Sequence, residues 1–330
     1  MSVHRARAYR NGSLVSDHVA PSEIDGYLGL ADTTVWVDVV KPSRDDLSNL
    51  AGMLGLADRE ISDALAAHPH PKLNRHPSHT FTSLSAVSVD QSNGELTTSE
   101  VGIFLHDRCL LTVRQDAEFP IDAVLERWDS LDGLGGHGTD LLIVGLLDVI
   151  IDLYVDCLET LYDHYDAVAQ TIRSEIGAGD YAQDPAQRQS FFHWRHSLAQ
   201  LHRQQLALDE IVRGLIRLPD VAQDDELAPY RRDLTRRLVR LNEEAASIRD
   251  LSSDINGTVW SMRDFRQELI AKKVSGWAAI LAVPAILTGW FGMNVPYPGS
   301  GEGWGVVLMV GLSLAFSSAL YVGFRKNDWI

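Results

Sequence analysis

Cysteine is almost absent from this sequence: Cys109 and Cys157 are the only two in 330 residues. That scarcity argues against a disulfide framework and a thiolate zinc site, and it suits a reducing cytoplasm. Positive charge is also short, with 29 Lys and Arg against 45 Asp and Glu and a formal net charge of −16. An acidic excess disfavours nucleic acid as a partner and is compatible with concentrating cations near the surface. The basic N-terminus, Met1 to Arg10, has no apolar core after it and so does not read as a secretory signal. No nucleophile–base constellation, phosphate-binding glycine loop or catalytic carboxylate pair stands out, which argues against an enzyme.

The most telling absence is of charge near the C-terminus, where Glu302 is the one charged residue between Val274 and Phe324. Val274 to Phe291 is an apolar stretch of about 18 residues and Trp304 to Phe324 one of about 21, each near the length that crosses a hydrocarbon core. Lys272 and Lys273 precede the first, Arg325 and Lys326 follow the second, and Trp290, Trp304 and Trp329 sit at interfacial positions. The connection between the two has no Lys or Arg, so both termini are expected on the cytoplasmic side of the cell inner (plasma) membrane, as a multi-pass protein. Residues 292–303 hold two prolines and four glycines and cannot be regular structure.

Upstream, the first 35 residues or so are weakly patterned, and Thr34 to Val40 then reads as a β-branched strand closed by Pro42. Ser43 reads as the cap of a helix carrying Leu47, Leu50, Met53 and Leu54 and ending at Gly55. A short helix over about Arg59 to Ala67 and strands at Thr80–Val89, Glu100–Leu105 and Cys109–Arg114 complete a modest α/β domain. From about Leu141 the period turns helical, giving a long helix to about Gly177 and a second from Pro185 to Leu218, expected to pair as an antiparallel hairpin. No proline falls between Pro229 and Pro284, and an apolar stripe from Leu227 through Leu234, Leu241, Ile248 and Ile255 to Met262 marks a long packed helix.

Phe291-Gly292-Met293-Asn294 stands where the first apolar span ends. A Gly-Met-Asn run after the first of two C-terminal spans, preceded by a long helix and followed by the tail Arg325 to Ile330, resembles the CorA family of divalent metal ion transporters. Val35-Trp36-Val37-Asp38, Pro71-Lys72-Leu73, Glu100 to Leu105 and Leu111 to Arg114 also resemble that family's N-terminal domain. The fold implied is an α+β cytoplasmic domain with long helices followed by a two-helix transmembrane hairpin, assembled as a funnel-shaped homopentamer in a lipid bilayer. The expected segments are 1–140 (α/β domain), 141–226 (helical pair), 227–273 (stalk), 274–291 (pore-lining span), 292–303 (outer loop), 304–324 (second span) and 325–330 (tail).

One hairpin cannot enclose a pore, so copies must assemble around an axis, and the resemblance makes Gly292, Met293 and Asn294 the selectivity filter. An asparagine carbonyl is a hard neutral acceptor and Mg²⁺ sheds water reluctantly, so Asn294 is expected to hold the ion through its water shell. Counting back, Ala285, Ala282, Ala278, Ser275 and Ala271 fall with Gly289 on one small-residue stripe, which fits pore lining or a helix packing face. The resemblance implies pore lining, with Val274 and Ala271 near the cytoplasmic gate, where the family has larger Met and Leu side chains.

The acidic residues Glu243, Glu244, Asp250, Asp254, Asp264 and Glu268 read as a solvated helix face. The resemblance implies regulatory Mg²⁺ between subunits; its principal stalk position falls at Gly257, leaving Asp254 as the nearest replacement. His68, His70, His76 and His79 read as a surface loop. Mg²⁺ is the expected cargo and regulator, with Co²⁺ or Ni²⁺ also admitted. A Zn²⁺ transporter of the same family is the alternative, since Pro296-Tyr297-Pro298 lacks the acidic Met-Pro-Glu continuation of the Mg²⁺ branch. A membrane-anchored coiled-coil sensor or scaffold without transport also fits the pattern.

Overall fold

Seven short segments with β-branched or alternating residues pair into one mixed sheet. In this computed structural model the described residues are 3–56, 58–66, 71–130, 137–178, 185–218, 226–293, 296, 298–327 and 329. The strands are β1 (Val3–Arg10), β2 (Ser13–Ser16), β3 (Thr33–Val40), β4 (Lys72–Arg75), β5 (His79–Val89), β6 (Leu96–His106) and β7 (Cys109–Arg114). Their order is β2-β1-β3-β7-β6-β5-β4. Only β3 and β7 run parallel; the other neighbours are antiparallel. A strand buried on both faces needs apolar side chains on both, and β3 has them: Val35, Val37 and Val39 on one face, Trp36 on the other, all at 0% exposure.

Against the valine face pack α1 (Ile24–Leu28), α2 (Arg44–Leu54) and α3 (Asp58–Leu65), through Ile24, Leu47, Leu50, Leu54 and Ile61. The α2 helix begins where the sequence indicates: Ser43 accepts from the Asp46 amide while the Asp46 carboxylate accepts from the Ser43 amide, and Gly55 closes the helix at φ 64°. The opposite face is covered by α4 (Ile121–Ser130), α5 (Gly138–Ala178) and α6 (Pro185–Leu215). Trp128 stands edge-on to Trp36 with ring centres 5.1 Å apart, Tyr154 of α5 donates to the Ser85 carbonyl, and the Ser197 hydroxyl of α6 accepts from the Leu96 amide.

The weak patterning expected of the first 35 residues is corrected: they hold β1, β2 and α1. Strand β1 alternates small apolar Ala6 and Ala8 with arginine, and Arg5 and Arg7 pair with Asp17, Asp122 and Asp129. Ion pairs, not apolar side chains, cover that face, so a hydrophobic alternation is not visible. The reading of His79 as surface loop is likewise corrected. His79 opens β5 almost fully buried, its Nε2 2.5 Å from Oε2 of buried Glu60 on α3, and His76 pairs with the other oxygen. His68 and His70 lie outside the described residues.

The long proline-free stretch is one helix, α7 (Ala228–Phe291), and α8 (Gly303–Lys326) follows it. By its contacts the chain divides into Met1–Ser252 and Ser253–Ile330, a boundary inside the segment expected as a stalk over 227–273. In the first unit the α7 stripe is buried at Leu234, Leu238, Leu241, Ala245 and Ile248. Polar pairs fix its place there: Gln205 to Asn242, Asn242 to Asp209, and Arg127 and Arg237 to Asp148 and Asp152. The side chains of Ile255, Val259 and Met262 lie outside those described.

Candidate functional site

In the second unit, Gln267–Phe291 of α7 and Gly303–Lys326 of α8 are long and apolar enough to cross a membrane. One stripe of the first is partly covered, with Gly276 buried and Ile280, Val283, Leu287 and Phe291 of intermediate exposure. The second span meets this side: the Ser317 hydroxyl donates to the Ile280 carbonyl at 3.4 Å, and the Trp277 and Tyr321 rings lie 6.4 Å apart. Ala271, Val274, Ser275, Ala278, Ala282 and Ala285 are all exposed, as is Gly289. The small-residue stripe therefore does not supply the covered contact between the two helices of one chain; it is left free.

The first span ends in a tight turn. Gly292 N–H donates to the Thr288 carbonyl at 2.9 Å, and Met293 N–H to that of Trp290 at 3.2 Å. A Cβ at Gly292 would stand 3.0 Å from the Thr288 oxygen, so glycine permits the close approach. Met293 is exposed, while Asn294, Val295 and Tyr297 lie outside the described residues. Beyond them, Gly299 and Gly301 adopt φ of 90° and 86°, which L side chains avoid. The Trp304 indole lies against Gly299, where a Cβ would come within 2.8 Å of the ring, and its N–H donates to the Glu302 carboxylate. This holds the one negative charge of 274–324 at the N-terminus of α8, where the helix dipole favours it. At the other end Arg325 and Lys326 occupy the last turn of α8, and Lys272 pairs with Glu268 at 2.8 Å.

The exposed surface of the first span is made of small apolar side chains, bulky Trp277, Leu281, Ile286 and Trp290, and the Ser275 and Thr288 side chains, with no charged side chain between Val274 and Phe291. Asp254 falls within α7, but its side chain is not among those described; a Cβ at Gly257 would meet nothing within 4 Å. Among the described residues, no group of three or more His, Cys, Asp and Glu is placed to hold a metal. The Glu60 cluster is consistent with that. Its two imidazoles stack nearly parallel, 5.1 Å between centres and 12° between planes, so their lone pairs do not converge on one point. Spacing along the chain did not single out Ser317 or Glu60: one is a serine in an apolar span, the other one acid among many.

Comparison with known proteins matches residues 31–326 to the family described as CorA-like Mg2+ transporter protein. The cobalt/magnesium transport protein CorA of Methanocaldococcus jannaschii is 21% identical over 326 residues, covering 97% of this chain and 98% of that protein. Among solved structures, the complete CorA magnesium transporter of M. jannaschii superposes with a TM-score of 0.77 at 20% identity, covering 100% of both chains. The ZntB cytoplasmic domain of Vibrio parahaemolyticus gives a TM-score of 0.55 at 12% identity, covering 80% of this chain and 99% of that domain.

Proposed function

This chain belongs to the family of CorA-like Mg2+ transporters, a family of divalent metal transporters, and from that premise we propose that it is a homopentameric channel admitting Mg²⁺ to the cytoplasm. Five copies place five first spans around an axis, with Ala271, Val274, Ser275, Ala278, Ala282 and Ala285 toward the lumen and Gly292, Met293 and Asn294 at the outer mouth. The observation that carries this reading is that these small α7 positions share one exposed face away from the partly covered α8-facing stripe, with the bulky exposed Trp277, Leu281, Ile286 and Trp290 falling outside it. A small-residue face left free by its own hairpin suits a wall lined by hydrated ions, since it leaves room for water and presents no carboxylate to trap a dication.

Asn294 recognises the ion through its water shell, and Gly292 sets the turn that brings the asparagine to the axis. The membrane potential drives entry: a dication gains roughly 4.6 kcal/mol per 100 mV, at about 2.3 per charge. Both termini and the sheet-bearing unit lie in the cytoplasm, and the membrane is the plasma membrane. Cytosolic Mg²⁺ closes the channel, with Asp254 its candidate stalk ligand. Co²⁺ and Ni²⁺, of similar charge and strongly hydrated, are admitted on the same principle.

Zn²⁺ is the second reading of the cargo, favoured by a loop in which Pro296, Tyr297 and Pro298 stand where an acidic continuation is common in the Mg²⁺ branch. Competition in proteoliposomes separates the two: Mg²⁺ influx that micromolar Zn²⁺ leaves unchanged supports Mg²⁺. Zn²⁺ influx that millimolar Mg²⁺ fails to suppress assigns the cargo to Zn²⁺. A protein that passes none of Mg²⁺, Zn²⁺, Co²⁺ and Ni²⁺ is the membrane-anchored scaffold.

A further inference from the structure

The α7 helix continues through Pro284. Proline has no N–H, so the carbonyl four residues earlier, that of Ile280, loses its helical donor. In hydrocarbon no water takes the donor's place, and an unpaired carbonyl is costly. The second span supplies the substitute: Ser317 Oγ lies 3.4 Å from the Ile280 oxygen, at the long end of a hydrogen bond, and Ser317 is partly buried whereas the adjacent Ser318 is exposed. On the other side of the break, Thr288 Oγ1 lies 2.8 Å from the Pro284 oxygen and 3.0 Å from that of Ala285. Hydroxyls thus serve carbonyls on both sides of the proline, one from within α7 and one from its neighbour. Only Ser317 joins the two helices in doing so.

We propose that Ser317 is a positioning residue for transport, its hydroxyl replacing the amide that Pro284 lacks and pinning the middle of the first span to the second. The transport half of this rests on the channel reading above; the pin itself does not. Its place is between Ala278 and Ala282, two of the proposed lining positions, so the bond fixes which side of α7 turns toward α8 and which is left for the lumen. Releasing it frees the first span to rotate and slide about its proline.

The distinguishing experiment is a double-mutant cycle on the full chain in lipid nanodiscs and proteoliposomes, reading the thermal midpoint and Mg²⁺ influx. Ser317→Ala is expected to lower the midpoint by about 2 °C and to reduce influx by about threefold. Ser317→Thr retains both, and Ser318→Ala changes neither. Pro284→Ala restores an amide to Ile280, so in that background Ser317→Ala is expected to shift neither midpoint nor influx. An equal loss with and without Pro284, or equal effects of Ser317→Ala and Ser318→Ala, overturns the pin. A cycle that closes on the midpoint in a protein with no wild-type influx overturns the transport role and the channel reading, and leaves the hydrogen bond standing.

Discussion

Arg114 holds Asp38 with two bonds across the parallel β3–β7 pair, Nη2 to Oδ2 at 2.6 Å and Nε to Oδ1 at 3.0 Å. The two side chains are 2% and 0% exposed. Thr112 donates a third bond to Oδ1 at 2.7 Å, and Arg114 Nη1 reaches the Phe119 carbonyl at 3.3 Å. Every polar atom of the pair named here is thus spoken for without water. Replacing Asp38 with alanine leaves a buried guanidinium uncompensated, which costs about 3–5 kcal/mol. Thermal unfolding of the purified chain is the check, and a midpoint within a degree of wild type would show that the pair does not hold the sheet.

Both cysteines are buried and free, and burial pushes each thiol up to about 12; at Cys157 the neighbouring Asp156 adds to the effect. Iodoacetamide at pH 8 is therefore expected to leave the folded chain unmodified and to label both residues in denaturant. The linkage has a definite sign. Thiols in the unfolded chain ionise near pH 8.5, while the folded ones hold their protons to about 12. Their contribution is whole below the unfolded value and is lost as pH rises through the window from about 8.5 to about 12. Tyr154, also raised by burial, pushes in the same direction. Midpoints measured between pH 7 and 11 are expected to fall on the alkaline side.

The loop between the two spans tolerates side chains unequally. At Gly301 an alanine meets open space and bears only the left-handed backbone, a cost of roughly 1–2 kcal/mol. At Gly305 its Cβ would stand 2.4 Å from the Gly299 carbonyl oxygen, a backbone atom that cannot swing aside. At Gly299 it would bear both penalties, a φ of 90° and the Trp304 ring at 2.8 Å. Influx measured for the three alanine variants is expected to fall least for Gly301→Ala and to be largely lost for Gly299→Ala and Gly305→Ala. Equal influx in all three would mean that the loop's shape does not matter to the mouth.

Much of the fold was legible where local chemistry and burial agree. The strand Cys109–Arg114 and the capped α2 helix read directly from apolar runs bounded by turn residues. Strands β1 and β4 were not legible, because the apolar face of β1 is only the small Ala6 and Ala8 between ion-paired arginines, and the four residues of β4 hold one apolar side chain, Leu73. Helix α4 carried a usable signal in Ile121, Val124, Leu125 and Trp128, all buried at helical spacing. At the candidate site, three-four counting identified the small-residue face of α7. No counting along one helix finds the partner of Ile280, because the donor sits 37 residues away on α8. Glu60 and His79 were opaque for the same reason: two polar residues 19 apart become a buried pair only once the sheet is assembled.

Flux through the full chain in liposomes under an imposed inside-negative potential, with and without Asn294→Ala, tests the account most directly. Wild-type Mg²⁺ influx is expected to rise with the potential and to be abolished by the substitution, while the thermal midpoint stays within a degree or so of wild type. Undiminished influx through Asn294→Ala would contradict the hydrated-ion filter.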